Sequence, residues 1–163
     1  MMQDNILFRT HVKDDDLSVL REILRSTEFF YDNEIDIAIE LAEEHLLKGE
    51  EKSGYSFIIA EKEDIPIAFT CYGKIPGTQD SYDLYWIAVH EKHQGEGIGK
   101  TLLRKVEEKI SDLFGRYIWV ETSSRPLYNP TRKFYQRSGY RVTAELPNFY
   151  AMNDDKIIFV KRV

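Results

Sequence analysis

Cysteine is nearly absent from this chain: Cys71 stands alone, so no internal disulfide can brace the fold. Long apolar runs are absent too. The longest, "YSFIIA" (55–60) and "LYWIAV" (84–89), are of strand length and far short of a bilayer span. Nor is there an excess of positive charge: 22 Lys and Arg stand against 28 Asp and Glu, a formal net charge of −6. That balance disfavours the broad basic face that phosphate backbones require, so no nucleic-acid partner is expected. The opening "MMQDNILFRTHVKDDD" lacks the basic start and long apolar centre of a secretory signal. These absences together predict a cytoplasmic protein without a membrane segment. The acidic surface suits a cationic amine as substrate, although an ordinary solvated surface would look the same.

What is present is a globular mixture, 42% hydrophobic and 31% charged, with no repeat or low-complexity tract. Its 163 residues suffice for one well-buried core and not for two ordinary ones, so a single domain over 1–163 is predicted. "ILFRTHV" (6–12) alternates like a half-buried strand, and Leu17, Leu20 and Leu24 recur at helical spacing within 14–27 behind a run of Asp. Ile35, Ala38, Ile39, Ala42 and Leu46 form a second helical stripe from about Asn33 to Lys48, with Gly49 as its stop. Residues 54–76 read as two β runs about a charged turn at 61–65, and "YDLYWIAVH" (82–90) as a third. Between Ile98 and Phe114, Ile98, Leu102, Leu103, Val106, Ile110 and Leu113 step by three or four, which predicts a long amphipathic helix. A strand "YIWVET" (117–122), a short helix near 131–138 ended by Gly139, and strands at 140–146 and 156–162 complete the chain. That order predicts a mixed α/β domain with a mainly antiparallel sheet.

The stretch "QGEGIGKTLL" (94–103) opens the long helix. A nucleotide P-loop would read G-x-x-x-x-G-K-S/T, and placing its last glycine on Gly99 puts Gln94 where the first must stand. The charged "HEKH" (90–93) also separates the loop from its strand, and too few residues follow for a set of parallel strands. A dinucleotide G-x-G-x-x-G fails because Gly95, Gly97 and Gly99 fall at every second position. What survives is backbone physics. N–H groups in a glycine-rich turn, feeding the positive end of a helix dipole, favour a phosphate or pyrophosphate. The glycines could equally serve only a tight strand-to-helix turn.

Residues 84–109, "LYWIAVHEKHQGEGIGKTLLRKVEEK", resemble the acyl-CoA-binding motif of the GNAT superfamily of N-acyltransferases. That motif follows a strand and runs Gln or Arg, two residues, Gly, one residue, Gly or Ala; Gln94, Gly97 and Gly99 fill its fixed places. A second stretch, "YNPTRKFYQRSGYRV" (128–142), is similar to the family's following helix, where Tyr135, Gly139 and Tyr140 match a tyrosine before a glycine-aromatic pair. The resemblance implies the GNAT fold, an α/β (α+β) arrangement with a mixed sheet of six or seven strands flanked by about four helices. It implies acetyl-CoA as cosubstrate and no metal. By the same resemblance, amides over Gln94, Gly95, Glu96, Gly97, Ile98, Gly99 and Lys100 hold the CoA pyrophosphate, and the strand edge at Ile87, Ala88 and Val89 takes the pantetheine arm. Asn129, Thr131, Phe134 and Tyr135 are implied as further CoA contacts. One departure is visible: family members often carry Asn seven residues before the tyrosine, where this chain has Tyr128, with Asn129 six before.

Acyl transfer from a thioester to an amine needs a neutral amine, a stabilised oxyanion and a proton for the departing thiolate. The resemblance gives the first donor role to the amide near Val89 and the acid role to the Tyr135 phenol, with Phe134 as the better core candidate. For the base it gives Glu121, in the place of a glutamate that serves the branch acetylating protein N-terminal alanines; Asp83 is the alternative. Partial burial would raise such a carboxylate towards the working range, whereas a solvated or salt-bridged carboxylate is the plainer reading. "HEKH" is one residue short of H-E-x-x-H, so no metal is expected and His90 and His93 read as loop surface. Cys71 reads as a small buried hydrophobe. Tyr31, Phe149 and Tyr150 could line an acceptor pocket, close the core or form a homodimer contact. The implied activity is an N-acetyltransferase, moving acetyl from acetyl-CoA to a primary amine of a small molecule or protein by direct attack in a ternary complex. Its rival is a non-catalytic acyl-CoA-binding sensor or interaction module with the same fold; a small nucleotidase would instead bind ATP with Mg²⁺.

Overall fold

The structure, a computed structural model, describes residues 5–163; residues 1–4, part of the stretch read for a secretory signal, lie outside them. The elements in chain order are β1 (Leu7–Arg9), α1 (Asp16–Ser26), α2 (Asp32–Ser53), β2 (Ser56–Lys62), β3 (Ile65–Lys74), β4 (Ser81–Val89), α3 (Ile98–Asp112), β5 (Tyr117–Ser123), α4 (Asn129–Arg137), β6 (Arg141–Ala151) and β7 (Asp154–Arg162). The strands form a seven-stranded sheet in the order β1-β2-β3-β4-β5-β7-β6. Pairing is antiparallel for β1 with β2, β2 with β3, β5 with β7 and β7 with β6, and parallel for β4 with β5. This is the mixed, mainly antiparallel sheet with four helices that the sequence predicts. No helix among the described residues is long and apolar enough to cross a membrane.

The chain groups into two compact units, one reaching to Gly73 and resuming over Trp86–Val106, the other made of Lys74–Tyr85 and Glu107–Val163. In the first, α1 buries Leu20 and Leu24 of its expected stripe together with Ile23, and α2 buries Ile35, Ala38, Ile39 and Ala42, while Leu17 and Leu46, also expected inside, are half-buried. The α2 start is fixed by Glu34, whose carboxylate accepts the Tyr31 N–H at 2.7 Å. Gly49, at φ 79°, breaks the helix without ending it; one more turn follows, and Gly54 at φ 75° is the cap. β2 and β3 are buried along nearly their whole length, as continuous apolar runs covered on both faces should be. Their two-residue turn is Glu63–Asp64, both with positive φ, the mirror-image turn that suits the strand twist. Arg9 fastens β1 by donating to both carboxylate oxygens of Asp16 and to Glu61 at 2.6 to 2.8 Å. Burial opposes its charge, but the hydrogen bonds it donates to Asp16 and Glu61, with the charges of those carboxylates, outweigh that and hold its pKa above the ordinary value.

In the second unit, the β5–β7 ladder buries Ile118, Val120 and Phe159 on one face. Glu107 ties the ladder to the end of α3, receiving Lys161 Nζ at 3.0 Å on each oxygen and the Tyr140 hydroxyl at 3.1 Å. Helix α3 ends at Asp112, so Leu113, expected on its apolar stripe, is exposed. Gly115 is required for space: a Cβ there would stand 2.5 Å from Ile110 Cγ2 and 2.6 Å from Tyr82 Cε2. Strand β6 is exposed for most of its length.

Candidate functional site

The glycine loop belongs to the first unit. β4 ends at Val89, the His90 N–H donates to the Ile67 carbonyl at 2.9 Å, and a single 3-10 turn over Glu91–His93 follows. His90 is not the surface residue expected: its side chain is 16% exposed, and its Nδ1 accepts the Lys92 N–H, capping the turn. The Gln94 side-chain amide donates to the Val89 carbonyl at 3.0 Å, folding the loop back onto the strand end. Gly95 and Gly97 both stand at φ 81° with nothing within 4 Å of a Cβ, so glycine is needed there for backbone conformation and not for room. Gly99 lies in the first turn of α3, and Thr101 closes that turn by donating both its N–H and its hydroxyl to the Gly97 carbonyl at 3.1 Å. No acidic residue occupies that first turn, and the loop's own Glu96 carboxylate lies 3.6 Å from His93 Nδ1. Backbone donors and a positive helix end fit a pyrophosphate. Alternation puts Ile87 and Val89 on one face of β4, with Ala88 buried on the other.

In the second unit, α4 carries Tyr135 fully into the packing, 3% exposed, with its ring against Phe134, Tyr140 and Phe159 at 5.3, 5.5 and 5.9 Å between centroids. Phe134, expected as the better core residue, is only half-buried, because the helix turns Tyr135 inward. Burial first, and second the repulsion between the two phenolates were Tyr128 also ionised, push the Tyr135 phenol up, so it keeps its proton at ordinary pH. Asn129 is exposed at the head of α4, where its amide oxygen accepts from Arg132. The Arg132 guanidinium also donates to the carbonyls of Ser123 and Arg125, tying α4 to the end of β5. Thr131 is half-buried on the same turn.

Glu121 lies on the face of β5 opposite Val120 and therefore opposite the face on which Tyr135 packs. The structure does not bring those two side chains together. It brings Glu121 together with two others: Asp83 stands across from Trp119 and Lys156 across from Ser123, and both positions share the face of Glu121. Glu121 is 56% exposed in its side chain and paired to Lys156 Nζ at 2.9 Å. Glu121 is thus the salt-bridged carboxylate of the plainer reading, and the burial lies at Asp83, whose carboxyl is pushed up by burial first and by the charge of Glu121 second, with Lys156 opposing. Lys156, unmarked in the sequence reading, sits 3.7 Å from the Phe149 ring centroid. Tyr31 belongs to the first unit and is exposed, whereas Phe149 and Tyr150 lie in the second. Cys71 is buried and its thiol pushed up by that burial, which keeps it protonated and inert. Among the described residues, no group of three or more His, Cys, Asp or Glu is arranged to hold a metal.

A family model for the GNAT acetyltransferase domain matches residues 53–142, more than half of the chain. The chain belongs to the GNAT acetyltransferase family. A crystal structure from Desulfovibrio desulfuricans, assigned to the same family of acetyltransferases, is 40% identical over 97% of this chain and 99% of that one, with a TM-score of 0.94. The PaiA N-acetyltransferase of Thermoplasma acidophilum, solved in complex with coenzyme A, shares the fold at a TM-score of 0.75 and 17% identity, over 98% of this chain and 99% of that one. An uncharacterised N-acetyltransferase from Methanocaldococcus jannaschii is 32% identical over 77 residues, 47% of this chain, and the match spans about half of that relative, 48% of its length.

Proposed function

We propose that this protein is an N-acetyltransferase that moves the acetyl group of acetyl-CoA onto a primary amine, of a small molecule or a protein, by direct attack in a ternary complex. The observation that carries the reading is the 94–101 loop, with two glycines at φ 81° behind a strand end and ahead of a helix without an acidic first turn. Amides from Gln94 to Lys100 take the CoA pyrophosphate, the edge at Ile87, Ala88 and Val89 takes the pantetheine arm, and Asn129, Thr131 and Phe134 add contacts. Acetyl-CoA, when bound, supplies the activated acetyl group. The Val89 amide is a preorganised donor for the carbonyl oxygen, and costs no reorganisation as charge develops there. Tyr135, kept protonated by its burial, is the acid for the departing sulfur. The proton of the amine goes to one carboxylate of the Asp83 and Glu121 pair, and the charge of that pair also favours a cationic acceptor. A chain with one thiol, and that one buried, suits the reducing cytoplasm, the compartment we propose.

The test compares acetyl-CoA, CoA and ATP with Mg²⁺ by thermal shift. At about 100 times its dissociation constant a ligand adds about 2.7 kcal/mol, enough to raise the melting temperature by several degrees. Shifts with acetyl-CoA and CoA and none with ATP are expected, followed by thiol release on adding amines. A shift with ATP alone would overturn the reading.

A further inference from the structure

The patch on the second unit holds three ionisable side chains from three strands, and their charges do not cancel. Two carboxylates, Asp83 and Glu121, face one ammonium, Lys156. Lys156 is only 9% exposed, and a lysine so enclosed must be paired. It has a built seat: Glu121 Oε2 at 2.9 Å, the Phe149 ring centroid at 3.7 Å and that of Tyr150 at 5.7 Å, while the two rings meet edge to face at 5.1 Å. The two carboxylates are therefore unequal. Glu121 Oε2 is committed to the enclosed Lys156 ammonium at 2.9 Å. Protonating Asp83 leaves that pair intact and relieves the repulsion between it and Glu121.

We propose that Asp83 is the carboxylate that takes the proton of the acceptor ammonium, and that Lys156, seated on Phe149 and paired with Glu121, is the positioning residue that sets the pH at which Asp83 is ready. The proposal rests on the acetyltransferase reading. One ammonium N–H bond breaks as an O–H bond forms on Asp83, the freed nitrogen lone pair makes the new C–N bond as the C–S bond breaks, Tyr135 gives its O–H proton to the departing sulfur, and the second N–H proton lost by the nitrogen restores the Tyr135 phenol. Over the whole reaction acetyl-CoA and an ammonium give an amide, CoA thiol and one proton, which Asp83 passes to solvent. The charged groups acting on Asp83 are Glu121 from β5 and Lys156 from β7, and they act in opposite senses.

The test measures kcat/KM against pH for the wild type and for Asp83→Asn, Glu121→Gln, Lys156→Met and Lys156→Arg. Each carries two controls: the melting shift with acetyl-CoA, and a carbon-13 NMR titration of the Asp83 carboxyl in every protein that retains it. Asp83→Asn should lower kcat/KM by about 100-fold or more while the acetyl-CoA shift persists. Lys156→Met should move both the acidic limb and the Asp83 titration up by about one pH unit; Lys156→Arg should restore them, and Glu121→Gln should move them down. An Asp83→Asn enzyme within about threefold of wild type, with the larger loss in Glu121→Gln, overturns the base assignment. An Asp83 titration unmoved in Lys156→Met overturns the role of Lys156. Wild-type protein that binds acetyl-CoA and releases no thiol with any amine sinks the acetyltransferase reading and the base role with it, and the NMR titration then still decides whether Lys156 controls Asp83.

Discussion

The 94–101 loop and the Asp83–Glu121–Lys156 patch represent two ways of building a polar site. The loop concentrates its donors in eight consecutive residues and uses the backbone, so most of its side chains are exposed and only the conformation of Gly95 and Gly97 is constrained. The patch draws on β4, β5 and β7 and uses side-chain charge, so each residue matters by identity and by what its neighbours do to its proton. A backbone site fails when its conformation is lost. A side-chain site fails when one charge is removed, and partial failures appear as shifted pH dependence. In the account above the first governs affinity for acetyl-CoA and the second governs proton handling, so variants of each should separate the two.

The largest expected effect sharpens that separation: Tyr135→Phe keeps the ring contacts with Tyr140 and Phe159, so turnover should fall by about 100-fold or more with the acetyl-CoA melting shift unchanged. Gly97→Val should do the reverse. A β-branched residue at φ 81° costs about 1–3 kcal/mol, and acetyl-CoA binding, read by calorimetry, should weaken by about 5- to 150-fold. A Gly97→Val protein that binds as tightly as wild type would break the comparison, because the loop would then not depend on its backbone. Gly115→Ala tests crowding without a ligand: the clash with Ile110 and Tyr82 should cost about 1–3 kcal/mol and lower the melting temperature by several degrees, leaving acetyl-CoA affinity alone. The smallest effect concerns Asp83 and stability. Because its folded pKa lies above the unfolded value, the fold loses stability as pH rises from the unfolded value through the folded one. Asp83→Asn abolishes that loss, so its melting temperature should gain on wild type at pH 7 relative to pH 3.

The same contrast explains what could be read before the fold was known. Helical stripes such as Leu20 with Leu24 and Ile35 with Ile39 are local, and they were legible because spacing alone decides them. The loop was legible for the same reason: Gly95 and Gly97 lie within one short stretch, and positive φ is what such glycines supply. Leu113 misled because periodicity does not mark where α3 stops, and Phe134 misled because two adjacent aromatics do not reveal which one the helix turns inward. The patch was only half legible. Glu121 and Asp83 were visible as carboxylates, but their shared face depends on strand register, and Lys156 offered one signal, a lysine in phase with Ile158 and Val160 along β7. Its partners lie on other strands, so no local pattern could name them.

The most direct test of the central claim is release of CoA thiol from acetyl-CoA across a panel of small-molecule and peptide amines between pH 6 and 9. Saturable, amine-dependent release of thiol is expected. Tight binding of acetyl-CoA with no thiol released for any amine would contradict it.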